Sequence, residues 1–168
     1  MAARSRPGVS PLLIYLSNHT RGGGVEAEHV RRTVRRLLAA LDEQDASVSI
    51  SFVRDPHMRT LNREHRGKDR TTDVLSFSLV EGESPPQGGE RMLGDVVISV
   101  DAAARQARDY DAPLAREIER LLIHSLLHLL GHDHMEPVER ARMVTEERRL
   151  AAVIGMPWVY EPGEDGQP

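Results

Sequence analysis

APLAREIERLLIHSLLHLLGHDH (112–134) is the stretch around which the rest of the chain has to be arranged. Ala112-Pro113 is a good helix start, and the spacing predicts a helix running to about Leu130. Gly131 stops it, because glycine tolerates the left-handed conformation that closes a helix C-terminus. Four of the chain's 8 histidines fall in the last part of this stretch, among leucines. A buried helix rarely carries so much imidazole, so these residues need a chemical explanation.

His124 and His128 are four apart and share one helix face, one turn from each other. Gly131 permits a sharp turn, after which His134 can fold back toward them. Three neutral ring nitrogens leave a fourth position open, the arrangement of a catalytic zinc site. The spacing HxxxHxxGxxH resembles that of the metzincin zinc proteases in all but one letter. Where those enzymes carry a Glu base, this chain has Ser125, which cannot take a proton at neutral pH. A peptidase of the usual mechanism is therefore disfavoured. A base would have to come from His132, from Asp133 or from the metal's own water. His132 is out of register with the three ligands, as a bystander or a supporting group. Asp133 either orients a ligand histidine or caps the following turn.

The 168 residues suffice for one domain with a real core. There is no cysteine, so disulfides, thiolate ligands and a cysteine nucleophile are excluded. The net charge of -4 argues against indiscriminate nucleic-acid binding by the whole surface. Lys68 is the single lysine among 22 basic residues, and the arginine excess makes individual Arg positions worth reading as phosphate-gripping forks. No targeting segment is visible, and the apolar run 121–130 is too short and too polar to cross a bilayer. A cytoplasmic location is expected.

Outward from the central helix, PLLIYLS (11–17), SVSISFVR (47–54), DVLSFSLV (73–80) and LGDVVISV (93–100) read as strands. Helices are expected over 25–44, from an Asp55 cap to about Arg66, from an Asp101 cap to about Tyr110, and over 138–153. On the first of these, Arg31, Arg32, Arg35 and Arg36 form a face read as solvated in preference to phosphate-binding. EGESPPQGGER (81–91) is a low-complexity loop. Residues 1–10 are expected to be flexible, 11–158 to form one domain, and 159–168 to be a disordered tail. Interleaved strands and helices indicate an α/β or α+β domain.

A second unusual stretch is LNREHRGKDRTTDVLSFS (61–78), which gathers Arg63, His65, Arg66, Lys68 and Arg70 before a strand. Guanidinium forks, hydroxyls and loop amides suit phosphate oxygens. Beside a metal site, such a loop is a candidate clamp for a phosphodiester.

LNREHRGKDRTTDVLSFS, LGDVVISVDAA and HSLLHLLGHDH together resemble the YbeY family of single-strand-specific metallo-endoribonucleases, which act in ribosomal RNA maturation and ribosome quality control. The resemblance covers Leu61 to His134, with small departures. His65 and His132 stand where the family usually has Tyr, and Thr71 and Ser78 where it commonly has Pro. It implies an α+β domain: a four-stranded mixed sheet, about five helices, and a metal site at the C-terminal end of a central helix. It further implies one Zn2+ per chain on His124, His128 and His134, and Arg66 as the catalytic arginine of the cleft. Thr72, Arg63 and Lys68 are candidate substrate contacts, and His132 and Asp133 candidates for ligand support or proton transfer. The expected partners are single-stranded RNA, ribosomal RNA and ribosomal subunits, with neither DNA nor membrane. Few aromatics are available for base stacking, 4% of the chain. The rival readings are a zinc metallopeptidase and a non-catalytic ribosome- or RNA-binding module with a structural zinc.

Overall fold

A computed structural model describes residues 13–80 and 91–158. The order is β1 (Ile14–Asn18), α1 (Ala27–Ala40), β2 (Ala46–Val53), α2 (Asp55–Arg66), β3 (Val74–Ser78), β4 (Arg91–Ser99), α3 (Val100–Asp109), α4 (Leu114–Leu129) and α5 (Pro137–Val153). The sheet runs β1-β2-β4-β3. β1, β2 and β4 are parallel, and β3 joins β4 antiparallel at the edge. This is the expected single α+β domain with a mixed sheet. The expected flexible start (1–10), loop (81–90 of 81–91) and tail (159–168) lie outside the described residues.

Alternation along the strands divides the molecule into two layers of packing. Val48, Ile50 and Phe52 of β2, with Val96 and Ile98 of β4, face the main core. There they meet Val30, Val34, Leu37 and Leu38 of α1, seven apolar side chains of α4, and Met143 and Leu150 of α5. Val53, Leu75, Phe77 and Val97 face the other way and pack with Met58 and Leu61 of α2. α4 is the central helix. Leu121, Leu122, Ile123, Leu126 and Leu127 are at most 1% exposed, and each such burial contributes about 1.5–3 kcal/mol.

Several helix ends differ from the sequence expectation for identifiable reasons. α1 stops at Ala40, not at residue 44, because Asp42 takes the left-handed position (φ 57) that glycine usually marks. Glu43 N–H then closes on Leu38 O at 2.8 Å. Asp55 does not cap α2; it is the first helical residue, and its carboxylate is held by Arg105, Ser99 and Thr71. Asp101 does not cap α3 either. Ser99 does, accepting from Ala102 N–H at 3.2 Å, while Asp101 accepts from Asp55 N–H and Arg54.

Gly94 brings the edge strand close to α4. Its φ is 150, and a Cβ there would lie 2.1 Å from Phe77 O and 2.9 Å from Leu129 Cδ2. The gap lets Ser78 Oγ donate to Leu129 O at 2.9 Å, so the end of β3 is tied to the end of α4.

Candidate metal centre

The last turn of α4 ends in a double closure. Gly131 N–H donates to His128 O and His132 N–H to Leu127 O, both at 3.0 Å, with Gly131 at φ 94. Asp133 Oδ1 accepts from His134 N–H at 2.6 Å and from Met135 N–H at 3.3 Å, tightening the turn that delivers His134. One nitrogen from each of His124, His128 and His134 then lies within 4.8 Å of the others. This is the convergence that the histidine spacing and Gly131 predict.

Within the cluster, His124 Nδ1 donates to Glu147 Oε1 of α5 at 2.8 Å. That bond fixes the tautomer and leaves Nε2 with its lone pair facing inward. His128 Nε2 lies 3.0 Å from it. Burial above all, then the neighbouring His124 and His134, push the His128 pKa down to about 4, against the pull of the His132 backbone and Asp133. The ring is therefore neutral at pH 7. His134 Nδ1 is buried with no hydrogen-bond partner, which costs about 1–3 kcal/mol unless something satisfies it.

These features fit a metal ion. Tetrahedral zinc, with bonds of about 2.0–2.1 Å, separates its nitrogen ligands by about 3.3 Å, within a few tenths of an ångström of the His124–His128 approach. The donors are all imidazole, a set that suits zinc, copper, iron or nickel. Ser125 takes no part: it is fully buried, and its Oγ donates to Leu121 O at 2.6 Å.

Glu147 was not singled out by the sequence reading. It lies beside Glu146 on a helix rich in both charges, and nothing local separates the two. Glu146 is spent on Arg149, at 2.7 Å for the shortest contact, whereas Glu147 faces His124.

The arginine-rich stretch surrounds the C-terminus of α2. Arg66 is the last helical residue, and Gly67 (φ 68) closes the helix. Among the described residues the exposed Arg66 and Lys68 side chains have no ion pair or hydrogen bond. Arg63 lies 3.7 Å from Asp69, which Arg59 already holds through two bonds. Thr72 Oγ1 contacts Asp73 at 3.4 Å. The His65 ring meets Phe77 edge-on, with centroids 5.1 Å apart. Phe77 and Ser78 are neighbours on β3, so the ends of α2 and α4 reach the same end of the edge strand, one on each face of the sheet.

The comparisons with known proteins agree with this geometry. The family model described as Endoribonuclease YbeY matches residues 15–155. An Endoribonuclease YbeY of Anaeromyxobacter sp. (strain Fw109-5) is 48% identical over 140 residues, covering 83% of this chain and 70% of the relative. The one from Alkaliphilus metalliredigens (strain QYMF) is 37% identical over 151 residues, covering 87% and 97%. The solution structure of TM1509 from Thermotoga maritima shares the fold, with TM-score 0.60 at 24% identity over 93% of this chain and 98% of that one. With its three converging histidines set at HxxxHxxGxxH, the chain belongs to the YbeY family of endoribonucleases, hydrolases that act on RNA.

Proposed function

We propose that the protein is a zinc-dependent endoribonuclease that cuts single-stranded RNA, acting in ribosomal RNA maturation, at the small-subunit 3′ end, and in ribosome quality control. The observation that carries this reading is the convergence of one ring nitrogen from each of His124, His128 and His134 within 4.8 Å, in a chain of this family. One zinc per chain would supply a Lewis acid for the phosphodiester and water of pKa about 7.

The chain's own groups do the rest. Glu147 holds His124 in the ligating tautomer, and burial keeps His128 neutral. Arg66 neutralises charge developing on the phosphoryl oxygens. Lys68, Arg63 and Thr72 contact the substrate, Arg63 least freely because Asp69 already attracts it. Asp133 holds the turn of His134, and His132 stands beside the ligands as the group able to support or relay a proton. Buried Ser125 offers no base, so nothing favours a peptidase.

Ribosomal RNA and ribosomal subunits are the partners of this reading, and the cytoplasm its location; neither DNA nor a membrane is involved. No described helix is long and apolar enough to cross a membrane. On α1, Arg36 is tied to Val153 O and Arg31 to Glu28, which leaves Arg32 and Arg35 as the arginines available to a ribosome. Reversing both charges lowers ribosomal-subunit affinity if that face is used, and unchanged affinity assigns it to solvent.

The reading is tested on matched single-stranded and duplex RNAs, with zinc removed by a chelator and then restored. The expected result is cutting of the single strand alone, lost on chelation and recovered with zinc. Equal cutting of the duplex, or cutting indifferent to chelation, overturns it.

A further inference from the structure

We infer that the groove between the histidine turn and the start of α5 is a nucleobase subsite, which seats one unpaired base of the RNA beside the cut phosphodiester. This inference rests on the nuclease reading above. The groove holds about 680 Å³, and Pro137, Val138, Ala141 and Thr145 of α5 line it opposite His132. That volume lies inside the range of small-ligand pockets.

Three observations select an RNA base as the occupant. The first is the place of His132 in the chain, next to the metal centre. His132 forms the groove's wall and sits between the ligands His128 and His134, with its N–H locked into the closure of α4. The groove wall and the turn that carries His134 are therefore parts of one short segment of chain.

The second is charge. Glu146 is the one acid in the lining, and Arg149 already neutralises it through contacts of 2.7, 3.1 and 3.2 Å. Arg142, also in the lining, has no ion pair among the described residues. The groove consequently presents an apolar floor, an imidazole and an uncompensated guanidinium, which suits a flat aromatic ring carried on a polyanion.

The third is exposure. Val138 is 63% exposed and Met135, at the turn just before α5, is 73% exposed, whereas the other large apolar residues of α4 and α5 are buried or partly buried. Exposed apolar side chains grouped beside a catalytic centre mark a contact surface. The imidazole of His132 and the side chain of Val138 give a base a face to lie on, in a chain short of the usual aromatic platforms.

The test is equilibrium binding of short fluorescent single-stranded RNAs to the zinc-loaded protein, with cleavage followed in parallel. One set is fully based, and another carries a single abasic position moved along the strand. Ala141→Glu places a carboxylate and added bulk in the groove at an exposed position of α5, so folding and zinc content are expected to be native. Its affinity for the fully based RNA is expected to fall about tenfold, the loss of one stacked base. The native protein shows a similar loss at one abasic position, and Ala141→Glu shows no further loss there. If Ala141→Glu binds every RNA as the native protein does while the native protein cuts, the subsite inference is overturned and the nuclease reading stands. If the native protein neither binds nor cuts single-stranded RNA, both fall.

Discussion

The C-termini of α2 and α4 are both closed by a left-handed glycine but are held and equipped very differently. Each ends at a glycine in the left-handed region, Gly67 at φ 68 and Gly131 at φ 94, and each closes with a return hydrogen bond, Lys68 N–H to Asn62 O and His132 N–H to Leu127 O. α4 is anchored by a continuous apolar core. α2 is pinned at its start by ion pairs and hydrogen bonds, through Asp55 to Arg105, Ser99 and Thr71 and through Asp101 to Arg54. The turn after α4 keeps one buried nitrogen, His134 Nδ1, in need of a partner, whereas the end of α2 keeps the exposed guanidinium of Arg66. One fold thus supplies a set of converging histidines on one face of the edge strand and an exposed guanidinium on the other.

The largest break in that comparison comes from His128→Ala. It removes one of the three histidines proposed to hold zinc, and zinc and RNA cutting are both expected to vanish while the far-ultraviolet spectrum stays native; retained zinc would mean that His128 is no ligand. Glu147→Ala is the next step down. It frees the His124 ring, and zinc affinity should fall by about 10–100-fold, measured by competition with a chromogenic chelator. Unchanged affinity would show that the contact does not orient the ligand.

The two glycines sharpen the contrast further. A Cβ would meet nothing within 4 Å at either Gly67 or Gly131, so Ala at either position costs only backbone strain, about 1–2 kcal/mol. Thermal unfolding should report similar losses, but only Gly131→Ala should also weaken zinc binding. Equal effects on zinc would break the distinction.

The smallest effect is in acid. Hydrogen bonds from Arg105 above all hold Asp55 below the ordinary value of 3.8, against burial, and Asp55 N–H followed by Arg54 does the same for Asp101. A lowered folded pKa means stability that is complete above the ordinary value and lost as pH falls through the folded one. Below pH 3.8, amide exchange should therefore quicken in α2 relative to the apolar middle of α4. Parallel loss in both would show that the ion pairs do not anchor α2.

The same contrast explains what could be read from the sequence. Histidines spaced four apart in a leucine-rich helix break a burial pattern, so spacing and Gly131 were enough to bring His124, His128 and His134 together. The strands were legible from alternation, and the helices from apolar spacing. Helix ends were less legible where an unusual residue did the capping: Asp42 in a glycine's place, and Ser99 in place of the more obvious Asp101. Glu147 was invisible because a carboxylate on a charged helix violates nothing. Only packing α5 against α4 distinguishes it from Glu146. The loop of Arg66 and Lys68 is equally ordinary as composition, and its significance comes from what lies beside it.

The central claim is that the histidines hold the metal and Arg66 serves the reaction without holding it. The most direct measurement titrates zinc into metal-free native protein and into Arg66→Glu, following bound zinc and cutting of single-stranded RNA together. Both proteins are expected to take one zinc per chain over the same concentration range. Only the native protein should gain cutting, with Arg66→Glu slower by about 10²–10³-fold, the scale for losing one group that stabilises transition-state charge. Native cutting that does not follow zinc occupancy, or an Arg66→Glu protein that loses zinc along with activity, would contradict the account.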